Sequence, residues 1–199
     1  LSPDGKYMFA DDLGNDCIWR FDVSRHGDGH DGRTYVSSPT VAFTTEAGAG
    51  PRHLTFSSDG RHAYLINELN GTISVMSYSD GKLTALQTIQ ASVTKTTGSA
   101  DIHISPDGRY LYASHRLTDD GISIFAINRN DGTLTRVGYQ RTAAHPRNFA
   151  ITPNGKYLLV ASRDGNVIEV YRRDRATGTL TDTRQGIHVG KPVCIQFVR

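Results

Sequence analysis

The sequence predicts an all-β chain, a β-propeller of four-stranded antiparallel blades, and two recurring turn markers carry that prediction. The first marker is Ser2-Pro3-Asp4-Gly5, which returns as Ser57-Ser58-Asp59-Gly60, Ser105-Pro106-Asp107-Gly108 and Thr152-Pro153-Asn154-Gly155. Its glycines lie 55, 48 and 47 residues apart, and each turn is followed by Lys6-Tyr7, Arg61-His62, Arg109-Tyr110 or Lys156-Tyr157. The second marker keeps step with it in Asp80-Gly81-Lys82-Leu83-Thr84, Asp131-Gly132-Thr133-Leu134-Thr135 and Thr177-Gly178-Thr179-Leu180-Thr181. Self-similarity at this period marks one supersecondary unit repeated, and two turns per unit between β-rich runs describe a propeller blade with almost no helix.

Within the second repeat, Arg52–Phe56 alternates polar and apolar residues as a half-exposed strand does. The Ser57–Gly60 turn leads into a second strand, Ala63–Asn67. Asn70-Gly71, a strong hairpin signal, leads into a third, Thr72–Met76. The Asp80-Gly81 turn opens the fourth, Leu83–Ile89. The third repeat copies this with Asp101–Ser105, Tyr110–His115, Ile122–Ile127 and Leu134–Gln140. The fourth has Asn148–Thr152, Tyr157–Ala161, Val167–Tyr171 and Leu180–Thr183. The first repeat lacks an innermost strand and carries a Gly/His/Asp-rich insertion, Arg25–Arg33, whose His26, Asp28, His30 and Asp31 read as a solvated loop rather than a metal site. The repeats divide the chain into 1–47, 48–97, 98–143 and 144–190, with 191–199 expected as the first strand of a further blade. A start on a turn motif and an end on a strand-like run read as part of a longer propeller.

Composition excludes several partners. With 22 Lys+Arg against 20 Asp+Glu, the formal charge of +2 is too small to mark nucleic acid or an anionic membrane as the partner. No apolar run approaches the roughly 20 residues of a membrane span. Cys17 and Cys194 have neither CxxC nor metal-ligand spacing and are expected as two buried free thiols, with one long-range disulfide the alternative. No metal or cofactor is expected. The location is expected to be cytoplasmic, the periplasm remaining open because a leader would precede Leu1.

Aligning the turn glycines makes positions equivalent between blades. Arg52 falls opposite Ala100 and Arg147, His53 opposite Asp101 and Asn148, and Glu68 opposite Arg116 and Arg163. The first two sets begin the innermost strand and the third ends the next one. An antiparallel hairpin therefore brings them together, and a spacing of 16 puts Arg52 and Glu68 on one face. Arg52, Glu68, Arg116, Arg147 and Arg163 are expected to converge at one end of the axial channel, with His53, Asp101 and His103 beside them. A rim of weak ion pairs is the bland reading of such a set. A single carboxylate among arginines on inner hairpins instead suits recognition of an anionic, oxygen-rich ligand. His62 and His188 are expected to be structural.

The segments Gly50–Phe56, Ile66-Asn67-Glu68-Leu69, Ala100–Gly108 and His145–Phe149 together resemble the propeller lactonases, the family that groups bacterial propeller-type 6-phosphogluconolactonase with the fungal carboxy-muconate lactonising enzyme. The resemblance covers essentially the whole chain. It implies the C-terminal four or so blades of a seven-bladed ring that acts on lactones without an obligatory metal. It also implies functional roles for Arg52 and Glu68, for Arg116 in Ser114-His115-Arg116, and for a histidine that would precede Leu1.

Hydrolysis of a sugar lactone needs a water aimed at the ester carbonyl and a donor for the developing oxyanion. Glu68 is expected to orient or deprotonate that water, Arg52 and Arg116 to hold the oxyanion or the substrate's anion, and Arg147 to meet a 6-phosphate. A carboxylate held by arginines is a poor base, which favours orientation. His53, Asp101 and His103 are expected to bind substrate. Lactone cycloisomerisation on a dicarboxylate is a second reading. A non-enzymatic propeller serving as a protein-binding platform is a third, which a large exposed apolar patch on the opposite face would favour.

Overall fold

A computed structural model of the chain describes residues 1–25, 34–94 and 97–198. Its sixteen strands form four four-stranded sheets, and no helix occurs among the described residues. The first sheet contains β1 (Tyr7–Asp12), β2 (Cys17–Arg25), β3 (Thr34–Val36) and β4 (Thr40–Thr44). Both β3 and β4 pair with β2, so together they fill the outer position, and among the described residues β1 is the innermost strand of this sheet. The His26–Asp31 loop lies outside the described residues.

The remaining sheets are regular meanders. They comprise β5 (Pro51–Phe56), β6 (His62–Asn67), β7 (Thr72–Ser79) and β8 (Lys82–Gln90); then β9 (Ser99–Ile104), β10 (Tyr110–His115), β11 (Gly121–Ile127) and β12 (Leu134–Arg141). The last has β13 (Pro146–Ile151), β14 (Tyr157–Ser162), β15 (Val167–Arg173) and β16 (Leu180–His188). No strand forms over 191–198, where a further blade was expected to begin. The Ile195 amide there donates to Asn148 Oδ1 at 2.7 Å, beside β13. Cys17 and Cys194 are both free. Cys17 is buried, whereas Cys194 is exposed because its segment has no paired strand to cover it.

The first marker is a locked turn. In Ser2–Gly5 the Ser2 hydroxyl donates to Asp4 at 2.6 Å and accepts the Tyr7 amide at 3.0 Å, and Gly5 takes a φ of 71° that L-residues disfavour. Ser57/Asp59 and Ser105/Asp107 repeat the hydroxyl bond at 2.6 Å, and Thr152/Asn154 at 2.8 Å. The second marker packs on the first across blades. A Cβ on Gly81 would lie 2.8 Å from the Tyr7 ring, and Gly132 and Gly178 press as closely on His62 and Tyr110. His62 is thus a buried clasp residue, as expected, whereas His188 lies exposed at the end of β16.

Strand alternation sends successive side chains to opposite neighbours. Ala63 and Leu65 pack toward the first sheet, while Tyr64 and Ile66 join a core with Leu111 and Phe125 of the third. Tyr110 and Tyr112 then pack against Phe149 and Val160 of the fourth. Each sheet interface is therefore a separate dry core, and the polar inner strand ends are left to face the axis.

Candidate active site

Every inner strand breaks register at the same place. Between Pro51 and His53, between Ser99 and Ile102, and between Pro146 and Asn148, the inner strand carries one residue more than its partner. Such a bulge re-aims a side chain. In the second and fourth sheets the re-aimed residues are Arg52 and Arg147.

Glu68, Arg116 and Arg163 occupy equivalent positions just after the second strand. The Glu68 amide donates to Gly50 O at 2.7 Å, that of Arg116 to Gly98 O at 3.0 Å, and that of Arg163 to His145 O at 2.9 Å. The outcome is a carboxylate gripped from two sides. Arg52 Nη1 donates to Glu68 Oε2 at 2.5 Å and Arg116 Nη2 to Oε1 at 2.6 Å. Arg52 Nε is fixed on Ala100 O at 2.8 Å and Arg116 Nε on Gly98 O at 3.2 Å, both across or along the blade joint. The Arg116 side chain is 7% exposed and Glu68 19%. Arg147 carries no hydrogen bond or ion pair among the described residues, yet its charge bears on Arg116 and His145. Arg163 turns to Asp164 at 3.1 Å and remains more than a third exposed, so it does not join the grip.

The second expected group forms its own network. Asp101, almost wholly buried, accepts His53 Nδ1 at 2.9 Å, His103 Nε2 at 3.0 Å and Asn148 Nδ2 at 2.6 Å. Burial pushes the Asp101 carboxyl up, but the hydrogen bonds from His103 and His53 outweigh it and hold it well below the usual carboxylate range. His103 stacks edge-on against Phe149, with centroids 4.9 Å apart. No hydrogen bond joins this network to Glu68 among the described residues. His53 and His103 keep roughly half-exposed rings, so both can still meet a ligand.

Three residues here escape a reading of the sequence by charge alone. Asp11 lies near His53, with Oδ1 buried and unpartnered and its carboxyl pushed up to about 6 by burial. His145 accepts Arg116 Nη1 at Nε2, at 3.3 Å, and its Nδ1 meets Asp164 Oδ2 at 2.9 Å. Among the described residues no cluster of three or more His, Cys, Asp or Glu has the arrangement of a metal site.

With this geometry in place, comparison with known proteins is specific. A family model described as a seven-bladed β-propeller lactonase matches residues 1–197. The 6-phosphogluconolactonase of Formosa agariphila is 41% identical over 201 residues, covering 99% of this chain and 56% of that protein. A Bacteroides fragilis crystal structure, provisionally described as a 6-phosphogluconolactonase, superposes with a TM-score of 0.94 at 52% identity, over 100% of this chain and 56% of that one. The periplasmic gluconolactonase of Pseudomonas aeruginosa superposes at 0.87 with 34% identity, over 100% and 55%. The chain thus spans little more than half the length of these relatives, and it belongs to the seven-bladed β-propeller lactonase family.

Proposed function

We propose that the protein of which this chain forms four blades hydrolyses a sugar lactone, 6-phosphogluconolactone to 6-phosphogluconate. One observation carries the reading: a single carboxylate, Glu68, is held by Arg52 and Arg116 from successive blades, with Arg147 uncommitted beside them. Three guanidinium groups around one carboxylate leave a local excess of positive charge where an anionic substrate can sit. Each Glu68 oxygen spends one lone pair on an arginine and keeps another for a water. Glu68 therefore orients that water toward the lactone carbonyl. Arg52 Nη2, which has no protein partner among the described residues, donates to the oxyanion as it forms. Each Arg116 nitrogen already holds a partner, three of its five N–H donors being spent on Gly98 O, His145 and Glu68, so Arg116 chiefly fixes Glu68. Arg147 meets the 6-phosphate, and His53 and His103 meet sugar hydroxyls.

The relative named as a periplasmic gluconolactonase supports a second reading, an unphosphorylated aldonolactone in the same site. An assay of the complete protein on both lactones, corrected for spontaneous hydrolysis, tests both. Turnover of neither would refute the lactonase reading.

A further inference from the structure

The position just before each inner strand holds Gly50, Gly98 and His145 in successive blades, and all three have positive φ: 67°, 110° and 61°. Glycine adopts this conformation freely, whereas a side chain there costs on the order of 1–3 kcal/mol and persists where the surroundings enforce it, often at functional sites. A second position changes with it. Leu69 covers Gly50, where a Cβ would lie 2.5 Å from Leu69 Cγ. Leu117 covers Gly98, where a Cβ would lie 3.1 Å from Leu117 Cδ1. In the fourth blade the equivalent residue is Asp164, which bonds His145 at 2.9 Å. A glycine–leucine pair has thus become a histidine–aspartate pair in the fourth blade, where the side chain at this position reaches the Arg116 guanidinium from the neighbouring blade.

We propose that His145, backed by Asp164, is a positioning residue that holds the Arg116 guanidinium so that Nη2 faces Glu68. The hydrogen bonds dictate the tautomer. Arginine only donates, so His145 Nε2 accepts and Nδ1 carries the proton to Asp164. The His145 amide is itself anchored on Asp120 Oδ1 at 2.9 Å, which fixes the ring's origin. A protonated imidazole would set N–H against N–H at Arg116 and release the guanidinium. The charged groups around the ring favour the neutral form. Burial and Arg116, Arg163 and Arg147 lower its affinity for a proton below the usual 6.5, against the opposing pull of Asp164. Activity should therefore fall on the acid side of 6.5 as this ring charges.

The kinetic arm of the test rests on the lactonase reading, and the spectroscopic arm does not. In the complete protein with 15N-labelled histidine, NMR at neutral pH should show His145 protonated at Nδ1 and bare at Nε2, and the reverse tautomer would overturn the proposal. His145→Gly restores the residue of the other blades, so folding survives. It should lower kcat roughly 10- to 100-fold with KM little changed, the loss typical of a displaced catalytic group. His145→Gln, which returns an acceptor near Nε2, should recover most of kcat and lose the acid limb of the pH profile. Wild-type kcat in His145→Gly, or an unmoved acid limb in His145→Gln, would refute it. If the wild-type protein turns over no lactone, the functional reading fails, and the NMR tautomer alone decides the positioning claim.

Discussion

Arg116 and Glu68 come from adjacent blades, and their side chains meet at 2.6 Å across the joint. Arg52 closes the other side of the same carboxylate, itself anchored on the carbonyl of Ala100 in the next blade. The charges that would perform chemistry therefore depend on how two blades are docked, and neither blade alone could assemble them.

Removing a member of this grip tests its role directly. In the complete protein, Arg52→Ala and Glu68→Ala should each lower lactone turnover about 100-fold or more, comparable to the loss of an oxyanion donor. The thermal midpoint of Arg52→Ala should move little, since that side chain lies outside the interblade cores. Glu68→Ala, by contrast, leaves the buried Arg116 guanidinium without its carboxylate and should lower the midpoint while the chain still folds. Full activity in both variants would make the cluster a structural rim.

Much of this was legible in the sequence, for identifiable reasons. The fold was readable because both turn markers need glycine at positive φ, and because each blade's Gly81, Gly132 or Gly178 must sit against the preceding blade's Tyr7, His62 or Tyr110. The Arg52–Glu68 pairing followed from hairpin spacing. The bulge at Arg52 did not, since register is a property of the paired strands and leaves no fixed residue signature. His145 and Asp164 were legible only as departures from a Gly–Leu pattern, a signal that a search for charges on matching positions passes over. Cys194 is exposed, against the expectation from its apolar neighbours, because its segment has no paired strand to enclose it.

The turn glycines should be intolerant of side chains. Gly178 has a φ of 76° and lies against the Tyr110 ring, so Gly178→Ala adds backbone strain to a steric clash with an aromatic whose hydroxyl donates to Ala176 O of the same loop. A destabilisation of about 1–3 kcal/mol is expected by urea unfolding of the complete protein. An unchanged midpoint would show that the loop relaxes freely and that the two markers are not mechanically coupled.

A buried ion pair pins the last two blades together. The Arg173 side chain is wholly buried, donates to Asp107 at 2.9 Å and to Tyr112 Oη at 2.8 Å, and also meets Gly155 O. Asp107→Ala strands that charge and should cost about 3 kcal/mol or more. Asp107 lies in the turn before β10 and Arg116 just after its other end, so the grip is remote from the lost pair and kcat should be preserved. A variant as stable as the wild type would mean that Arg173 finds compensation elsewhere.

Acidification should weaken the fold through His115. Burial lowers its pKa to about 4, and its ring bridges Ser99 Oγ at 2.8 Å and Ser123 Oγ at 3.0 Å in neutral form. The unfolded chain takes up this proton near 6.5, so the stabilisation is complete above that pH and is lost progressively as pH falls toward 4. The change amounts to about 3 kcal/mol. His115→Gln should flatten the stability profile across this window, and an equally steep profile would assign the acid sensitivity to other groups.

The choice of lactone turns on Arg147. It sits at the bulge equivalent to Arg52 but has no carboxylate to hold, and no hydrogen bond occupies it among the described residues. A guanidinium left uncommitted in a positive cluster lowers its energy by accepting an anion, and a phosphate matches its fork. If it binds the 6-phosphate, Arg147→Ala removes binding remote from the reacting carbonyl. KM for 6-phosphogluconolactone should then rise about 10- to 100-fold, the worth of a charged hydrogen bond, while kcat holds. Hydrolysis of unphosphorylated gluconolactone should be unaffected. A matched loss of kcat on both lactones would instead place Arg147 at the reacting carbonyl, and the phosphate would have to be recognised elsewhere in the ring.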